Sequence, residues 1–134
     1  MDVTAPAESV WPWVAQVRVA PYSYDWVDNR GHRSPQTLLG LPEPVVGEGF
    51  TASGGRPLGR IVHIDPGRSL TATILGAHLT YAVVAAAFAQ TRLLLKVVMD
   101  AGPVLAQAVC LGDLVMARRQ LLNWRRLAEA GDAP

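Results

Sequence analysis

The chain has 134 residues and a formal net charge of +1 at pH 7, and half of its residues are hydrophobic. This length suits one domain with a single core, and an apolar, weakly charged composition excludes a disordered chain. A net charge near zero gives no reason to expect capture of DNA or RNA. We therefore predict one domain over residues 1–134 and no nucleic-acid partner.

The cysteine count and the apolar segments exclude further classes. Cys110 is alone, so neither a disulfide framework nor a cysteine metal site is expected. The most apolar stretch, Leu79–Met99, contains Arg92 and Lys96 and is too short and too charged to span a bilayer. The chain also opens without the basic segment of a signal peptide. We expect a cytoplasmic protein with no membrane span.

The first predicted elements are a strand stub over residues 2–5 and a helix. Ser9 is the expected N-cap of this helix, and Pro12 is tolerated if it falls in the first turn, where backbone donors lack partners. One face of the helix is apolar at helical spacing. Its members are Val10, Trp13, Val14 and Val17.

A second short helix is predicted after a loop over residues 22–29. Ser34 is its expected N-cap, Pro35 suits the first helical position, and Gly40 is expected to end it. Two consecutive leucines inside the segment would supply the apolar side. These are Leu38 and Leu39.

From residue 47 the pattern predicts antiparallel strands. Residues 58–65 and 69–75 flank an Asp-Pro-Gly-Arg turn at 65–68, which has the right chemistry for a hairpin. In the first arm Val62 and Ile64 are expected to face the core. In the second arm alternation places Leu70, Ala72 and Ile74 on one face.

The next pair of strands is less regular in composition. Residues 81–89 are alanine-rich and permit a helix by propensity, but strand parity and length favour a strand followed by a turn at 86–90. Residues 91–99 alternate clearly, as a half-buried antiparallel strand does. We expect Leu93, Leu95, Val97 and Met99 on the core face, and Arg92, Leu94, Lys96 and Val98 on the other.

A long helix over residues 111–129 closes the chain. Its predicted apolar stripe contains Leu114, Val115, Leu121, Leu122 and Ala128, and Arg118 falls within that stripe. The order of elements predicts an α+β fold in which a strongly curved antiparallel sheet wraps around the long helix. The gap between the sheet and the helix is a natural ligand cavity.

Two motifs resemble those of a known family. Residues 4–14 (Thr-Ala-Pro-Ala-Glu-Ser-Val-Trp-Pro-Trp-Val) and 22–26 (Tyr-Ser-Tyr-Asp-Trp) resemble the opening of a bacterial subgroup of the SRPBCC superfamily. Residues 112–122 and 126–129 resemble the closing helix of that subgroup, and 91–93 its penultimate strand.

The resemblance implies a START-like, polyketide-cyclase-like helix-grip fold with two short helices near the N-terminus. The family includes lipid and hormone binders as well as polyketide cyclases or aromatases, so the fold does not decide the function. The chain departs from the family in two places. Relatives carry more chain before the Ala-Pro step, which predicts a short first strand, and a turn glycine is missing near residues 86–89.

The histidines give no catalytic or metal site by position. His32 lies in a polar turn, and strand parity directs His63 and His78 away from the core. No pair of histidines has the spacing of metal ligands. We therefore predict no metal and no cofactor.

Arg118 and Tyr81 are the candidate catalytic residues. Arg118 could reach into the cavity and hold a carboxylate or an enolate oxygen, or it could pair with Asp25 or Asp28, or extend to water. Tyr81 could present its hydroxyl to a ligand carbonyl, or it could be a core residue. The neighbouring arginine pairs at 118–119 and 125–126 are expected to form a solvated flank.

The loop aromatics Tyr22, Tyr24 and Trp26 either form the mouth of the cavity or fasten the loop to the sheet. The predicted ligand-binding set is Tyr22, Tyr24, Asp25, Trp26, Leu93, Leu95, Val97, Leu114 and Leu121. Three functions remain open. They are binding of a hydrophobic, polyketide-like or lipid-like molecule, a cyclase or dehydratase activity on a polyketide-like substrate, and a non-catalytic interaction subunit. A homodimer is also left open.

Overall fold

The computed structural model describes residues 1–22, 31, 33–74, 76–99 and 103–131, and only the backbone of residues 99 and 103–116. Six antiparallel strands form one curled sheet in the order β1-β6-β5-β4-β3-β2, and two α-helices complete the described fold. The α+β prediction with a curved antiparallel sheet is thus confirmed. The elements are β1 Asp2–Val3, α1 Ala7–Ala15, a 3-10 turn Gln16–Arg18, β2 Gly49–Ser53, β3 Arg56–Asp65, β4 Ser69–Ile74, β5 Ala77–Ala87, β6 Gln90–Met99 and α2 Pro103–Gly131.

Helix α1 begins three residues earlier than predicted. Its N-cap is Pro6, whose carbonyl accepts the Ser9 and Val10 amides, so Ser9 lies inside the helix rather than capping it. Pro12 consequently falls in the second turn and not in the first, and the helix continues past it to Ala15, with the Pro12 carbonyl accepting the Gln16 amide. The predicted apolar face is confirmed, since Val10, Trp13, Val14 and Val17 are all buried.

The predicted helix between Ser34 and Gly40 is wrong, because this segment is irregular in the structure. The Ser34 hydroxyl accepts the Tyr22 amide instead of capping a helix. The buried Gln16 side chain then bonds to the Thr37 carbonyl and the Leu39 amide, which meets the backbone's hydrogen-bonding needs without a helix. Leu38 and Leu39 are about half exposed rather than forming an apolar side.

Both predicted hairpins are present. The β3–β4 turn closes through the Arg68 amide and the Asp65 carbonyl, 2.9 Å apart. The β5–β6 hairpin turns at residues 88–89, and Ala89 takes a left-handed φ of 55° at the place where a glycine was missing. Residues 81–87 are therefore strand, as parity indicated. The predicted core-facing residues Leu70, Ala72 and Leu93 are buried, and Leu94, Lys96 and Val98 are exposed.

A β-bulge in β3 changes the predicted parity of that strand. The register with β4 shifts between Ile61 and His63, so the side chains on the two sides of the shift no longer alternate regularly. Ile61 is buried and Ile64 packs against the core, whereas Val62 is 42% exposed. The assignment of Val62 to the core face is wrong, and that of Ile64 is correct.

The curl of the sheet brings distant strands together. β2 and β5 are separated by two strands, which in a flat sheet would place them about 14 Å apart. The rings of Phe50 on β2 and Tyr81 on β5 nevertheless stack with their centroids 6.0 Å apart. Gly59 allows this curvature, because a Cβ there would lie 2.4 Å from the Thr73 carbonyl oxygen and 3.3 Å from the Cβ of Phe50.

Helix α2 begins before the predicted residue 111 and packs through residues that the predicted stripe omitted. Trp124 and Leu127 are buried beside Ala128, and Leu121 packs against the same core. Leu122 is only half-buried, and the side chains of Leu114, Val115 and Cys110 lie outside the described residues. Near its end the helix is linked to the residue that follows β1, because the Thr4 amide donates to the Glu129 carboxylate. No helix in the described ranges is long and apolar enough to cross a membrane.

Candidate functional site

Aromatic side chains fill part of the space between the concave face of the sheet and α2. Trp124 of α2 lies edge-on to Tyr81, with ring centroids 5.3 Å apart, and 6.2 Å from Tyr22. Trp13 of α1 meets Tyr22 edge-on at 6.3 Å, and Phe50 closes the cluster from β2. We call these five residues the aromatic cluster. All of them are buried, so at this level the interior is occupied by side chains.

Both tyrosine hydroxyls of this cluster are hydrogen-bonded, whereas the buried indole N–H of Trp124 finds no hydrogen-bond partner in the described part of the chain. The Tyr81 hydroxyl donates to the Gln120 side-chain oxygen at 2.9 Å, and the Gln120 amide donates to the Pro21 carbonyl at 2.7 Å. Desolvation raises the pKa of Tyr81 well above its ordinary value, and the hydrogen bond to Gln120 acts in the opposite direction. A phenol that stays protonated and already donates to Gln120 is suited to holding α2 on the sheet.

Tyr22 fastens the following segment to the core. Its hydroxyl donates to the Pro35 carbonyl and accepts from the Gln16 amide, and its own carbonyl accepts from Asn123 on α2. It is also completely buried. For Tyr22 these contacts favour the fastening interpretation, and its role in ligand binding stays a prediction. Tyr24, Asp25, Trp26 and Asp28 lie outside the described residues.

The concave face changes character towards the end of β6. Leu70, Tyr81 and Leu93 are buried, but the next inward-facing apolar residues, Leu79 and Val97, are only half-buried. Leu79 pairs with Val97 across the β5–β6 ladder. The same intermediate burial holds for Ile74 and Leu95. We call these four residues, Ile74, Leu79, Leu95 and Val97, the inner apolar patch.

The two candidate catalytic residues are not brought together. Tyr81 is buried in the aromatic cluster, whereas Arg118 is exposed on α2. The placement of Arg118 within the sheet-facing stripe is therefore wrong, because the helix turns Gln120 and Trp124 towards the sheet instead. A ligand contact by Arg118 stays a prediction that its position does not support. The solvated flank is confirmed, since Arg118, Arg119, Arg125 and Arg126 are all exposed.

The described histidines agree with the parity argument. His63 and His78 are both exposed, and His32 lies outside the described residues. Among the residues that the structure describes, no group of three or more His, Cys, Asp and Glu side chains could hold a metal ion. Neither described histidine is therefore placed as a general base towards the concave face.

A shallow groove beside α1 was missed by the sequence analysis. It has a volume of about 170 Å³ and lies between Pro12, Ala15 and the irregular segment 38–43. Its edge is held by the Trp11 indole N–H, which donates to both carboxylate oxygens of Glu43 at 3.0 and 3.2 Å. A groove of this volume lies below the range of drug-sized ligand pockets, which begins at roughly 300 Å³.

Gln120 and Trp124 are the central residues that the sequence analysis missed. Both lie at helical spacing from Leu127 and Ala128, so a stripe centred on Trp124 would have identified them. No protein-family model matches the chain, and a search of curated proteins finds no match.

Proposed function

We propose that the protein binds a hydrophobic small molecule between the concave face of the sheet and α2, in a helix-grip arrangement of the kind that its SRPBCC resemblance implies. The observation that carries this proposal is the inner apolar patch, whose residues face inward and yet stay half-buried. Ligand binding that removes this apolar surface from water is favourable, by roughly 25 cal/mol per Å² of apolar surface buried. The ligand class is polyketide-like or lipid-like.

The positions of the two candidate catalytic residues favour ligand binding over a cyclase or dehydratase activity. Carbonyl polarisation by a Tyr81–Arg118 pair needs both groups within hydrogen-bond reach of one substrate atom. The buried hydroxyl of Tyr81 already donates to Gln120, and Arg118 is exposed. We therefore propose a binding protein without chemistry at this pair.

Native mass spectrometry of the purified protein tests the proposal directly. We expect an added mass that is lost on denaturation and that partitions into organic solvent. The anionic naphthalene dye ANS then serves as a defined apolar probe of the same site, because its fluorescence rises when it leaves water.

Two neighbouring valines of β6 provide a matched pair of variants. Val97→Phe adds bulk to the inner apolar patch, whereas Val98→Phe adds it to the opposite, exposed face, where Val98 is 51% exposed. We expect Val97→Phe to weaken ANS binding by about fivefold or more and Val98→Phe to change it less than about twofold, since overfilling costs roughly 1–3 kcal/mol. Equal effects of the two variants, with no co-purified mass, would contradict the proposal.

A further inference from the structure

One edge of β6 is only partly covered. On one side β6 pairs with β5 from residue 90 to 99. On the other side β1 pairs with Thr91 and Arg92, and the Met1 amine and carbonyl bond to Leu93 at 2.9 and 2.8 Å. Within the described ranges, no strand pairs with this side of β6 beyond Leu93. In the part of the chain that the structure describes, this edge of β6 is therefore unpaired over residues 94–99, and we call it the free edge.

The hydrogen bonds to Met1 define which backbone groups point towards this edge. Both the amide and the carbonyl of Leu93 are directed to β1. Backbone groups of an antiparallel strand alternate in lateral direction from one residue to the next. The amides and carbonyls of Leu95 and Val97 therefore point out of the free edge, while those of residues 94, 96 and 98 point towards β5.

The side chains beside the free edge show a simple pattern on the convex face. Leu94 and Val98 are 44% and 51% exposed, and Lys96 is exposed between them. Among the described ion pairs none involves Lys96. The pattern is apolar, cationic, apolar, and a cross-strand neighbour would lie directly opposite each position.

A second copy of the chain is a poor occupant of this edge. The symmetric antiparallel pairing that uses the whole span 94–98 places Lys96 opposite the Lys96 of the other copy. Like charges directly opposite one another destabilise a sheet, and a lysine in an edge strand is a known protection against edge-to-edge pairing. Charge complementarity instead favours an acidic side chain opposite Lys96.

We propose that the free edge of β6 binds an extended segment of a partner protein by strand addition. The segment runs antiparallel to β6, in line with β1, and bonds to the outward amides and carbonyls of Leu95 and Val97. It carries an acidic residue opposite Lys96, flanked two positions away on each side by apolar residues opposite Leu94 and Val98. Main-chain bonds supply affinity in this mode of recognition, and the alternating side chains supply specificity.

The probe is a capped peptide of about nine residues with one glutamate, valine two positions away on each side, and threonine elsewhere. A second peptide replaces the glutamate with lysine. We expect the glutamate peptide to bind the full chain more tightly by about fivefold or more in fluorescence anisotropy, and Lys96→Glu to reverse the preference. Amide exchange by NMR should slow at Leu95 and Val97 when the glutamate peptide is bound.

Two variants at one position separate the backbone from the side chain. Val97→Pro removes an outward amide that makes no ladder bond within the sheet, and Val97→Ala trims the side chain but keeps that amide. We expect peptide affinity to fall about tenfold or more for Val97→Pro and less than about threefold for Val97→Ala, with thermal unfolding confirming that both fold.

Three outcomes would overturn the proposal. Equal affinity for the two peptides would remove the role of Lys96. Unchanged exchange at Leu95 and Val97 with the peptide bound would remove strand addition. A dimer of the chain without peptide that the neutral variant Lys96→Gln strengthens would make a second copy the occupant. Loss of glutamate-peptide binding in Lys96→Glu with unchanged ANS binding would support the proposal and show that this edge and the proposed cavity are separate sites.

Discussion

Tyr81 shows how one buried polar group can hold two elements together. Its ring stacks on Phe50 and meets Trp124, and its hydroxyl reaches Gln120 of α2. Leaving a buried hydroxyl unpaired costs roughly 1–3 kcal/mol. The hydrogen bond therefore orients α2 on the sheet in a way that apolar contacts alone would not.

The raised pKa of Tyr81 predicts a loss of stability at alkaline pH. The unfolded phenol ionises near its ordinary pKa of 10.0, whereas burial keeps the folded phenol protonated above that pH. The contribution is thus fully present below pH 10 and falls as the pH rises, by about 1.4 kcal/mol per pH unit. Urea unfolding of the wild type between pH 9 and 11.5 measures it.

Tyr81→Phe is the control for this prediction. It lacks the ionisable hydroxyl but keeps the ring, and the other two tyrosines remain in both proteins. We expect the variant to be less stable by about 1–2 kcal/mol at pH 8, and the difference from wild type to shrink above pH 10. A difference that stays constant up to pH 11.5 would show that the phenol ionises normally in the fold.

Gln16 decides the conformation of a segment more than 20 residues further along the chain. Its amide and carbonyl bond to the Thr37 carbonyl and the Leu39 amide, and its amide also reaches Tyr22. The start and stop signals of a helix at residues 34–40 were sound by themselves. The contacts of Gln16 nevertheless decide the conformation, because a short helix without packing has only marginal stability.

At the scale of elements, Gly59 of β3 controls the curl of the sheet. It combines a positive φ of 68° with a position where a Cβ would lie 2.4 Å from the Thr73 carbonyl oxygen. Both features oppose any other residue, and the contact is with backbone, which cannot turn aside. A Cβ at residue 59 would also lie 3.3 Å from the Cβ of Phe50, whose ring stacks on Tyr81.

Gly59→Ala is expected to destabilise the protein by about 3 kcal/mol or more. Gly67→Ala is the matched control, since Gly67 also has a positive φ of 79° but open space around its Cβ position. Gly67→Ala should lower the free energy of unfolding by only about 1–2 kcal/mol, the cost of holding a residue other than glycine at a positive φ. Urea unfolding followed by far-UV circular dichroism compares the two. Equal losses would mean that the strand tolerates a side chain at residue 59.

At the scale of the whole molecule, Trp124 connects α2 with the rest of the described core. It contacts Tyr81 of the sheet and Tyr22 of the segment after α1, and it is completely buried. Near its end the helix also bonds to the residue after β1, since Glu129 accepts the Thr4 amide. The fold therefore closes around one large side chain near the end of the sequence.

Trp124→Ala is expected to cost about 3–5 kcal/mol, since it removes a large buried ring and leaves a cavity. Leu122→Ala, on the same helix but at a half-buried position, should cost about 1 kcal/mol. Denaturation in urea measures both, and the near-ultraviolet signal of the remaining aromatics reports the packing. A loss below about 1 kcal/mol for Trp124→Ala would mean that α2 is held elsewhere.

The sequence by itself predicted the elements whose signals are local. The turn at residues 65–68, the alternation of β6 and the apolar face of α1 each depend on residues close in the chain, and all three are confirmed. The strand assignment at 81–87 also succeeded, because parity outweighed the alanine content. In the candidate site, the inward direction of Leu93, Leu95 and Val97 followed from the same alternation.

Tertiary structure decided whatever depends on contacts between distant residues. Three features are of this kind. A bulge exposes Val62, and residues 34–40 form an irregular segment instead of a helix. The orientation of α2 buries Trp124 and exposes Arg118. In each case the deciding partner lies on another element. A hydrogen bond or a ring contact across that distance outweighs a local propensity of less than about 1 kcal/mol per residue.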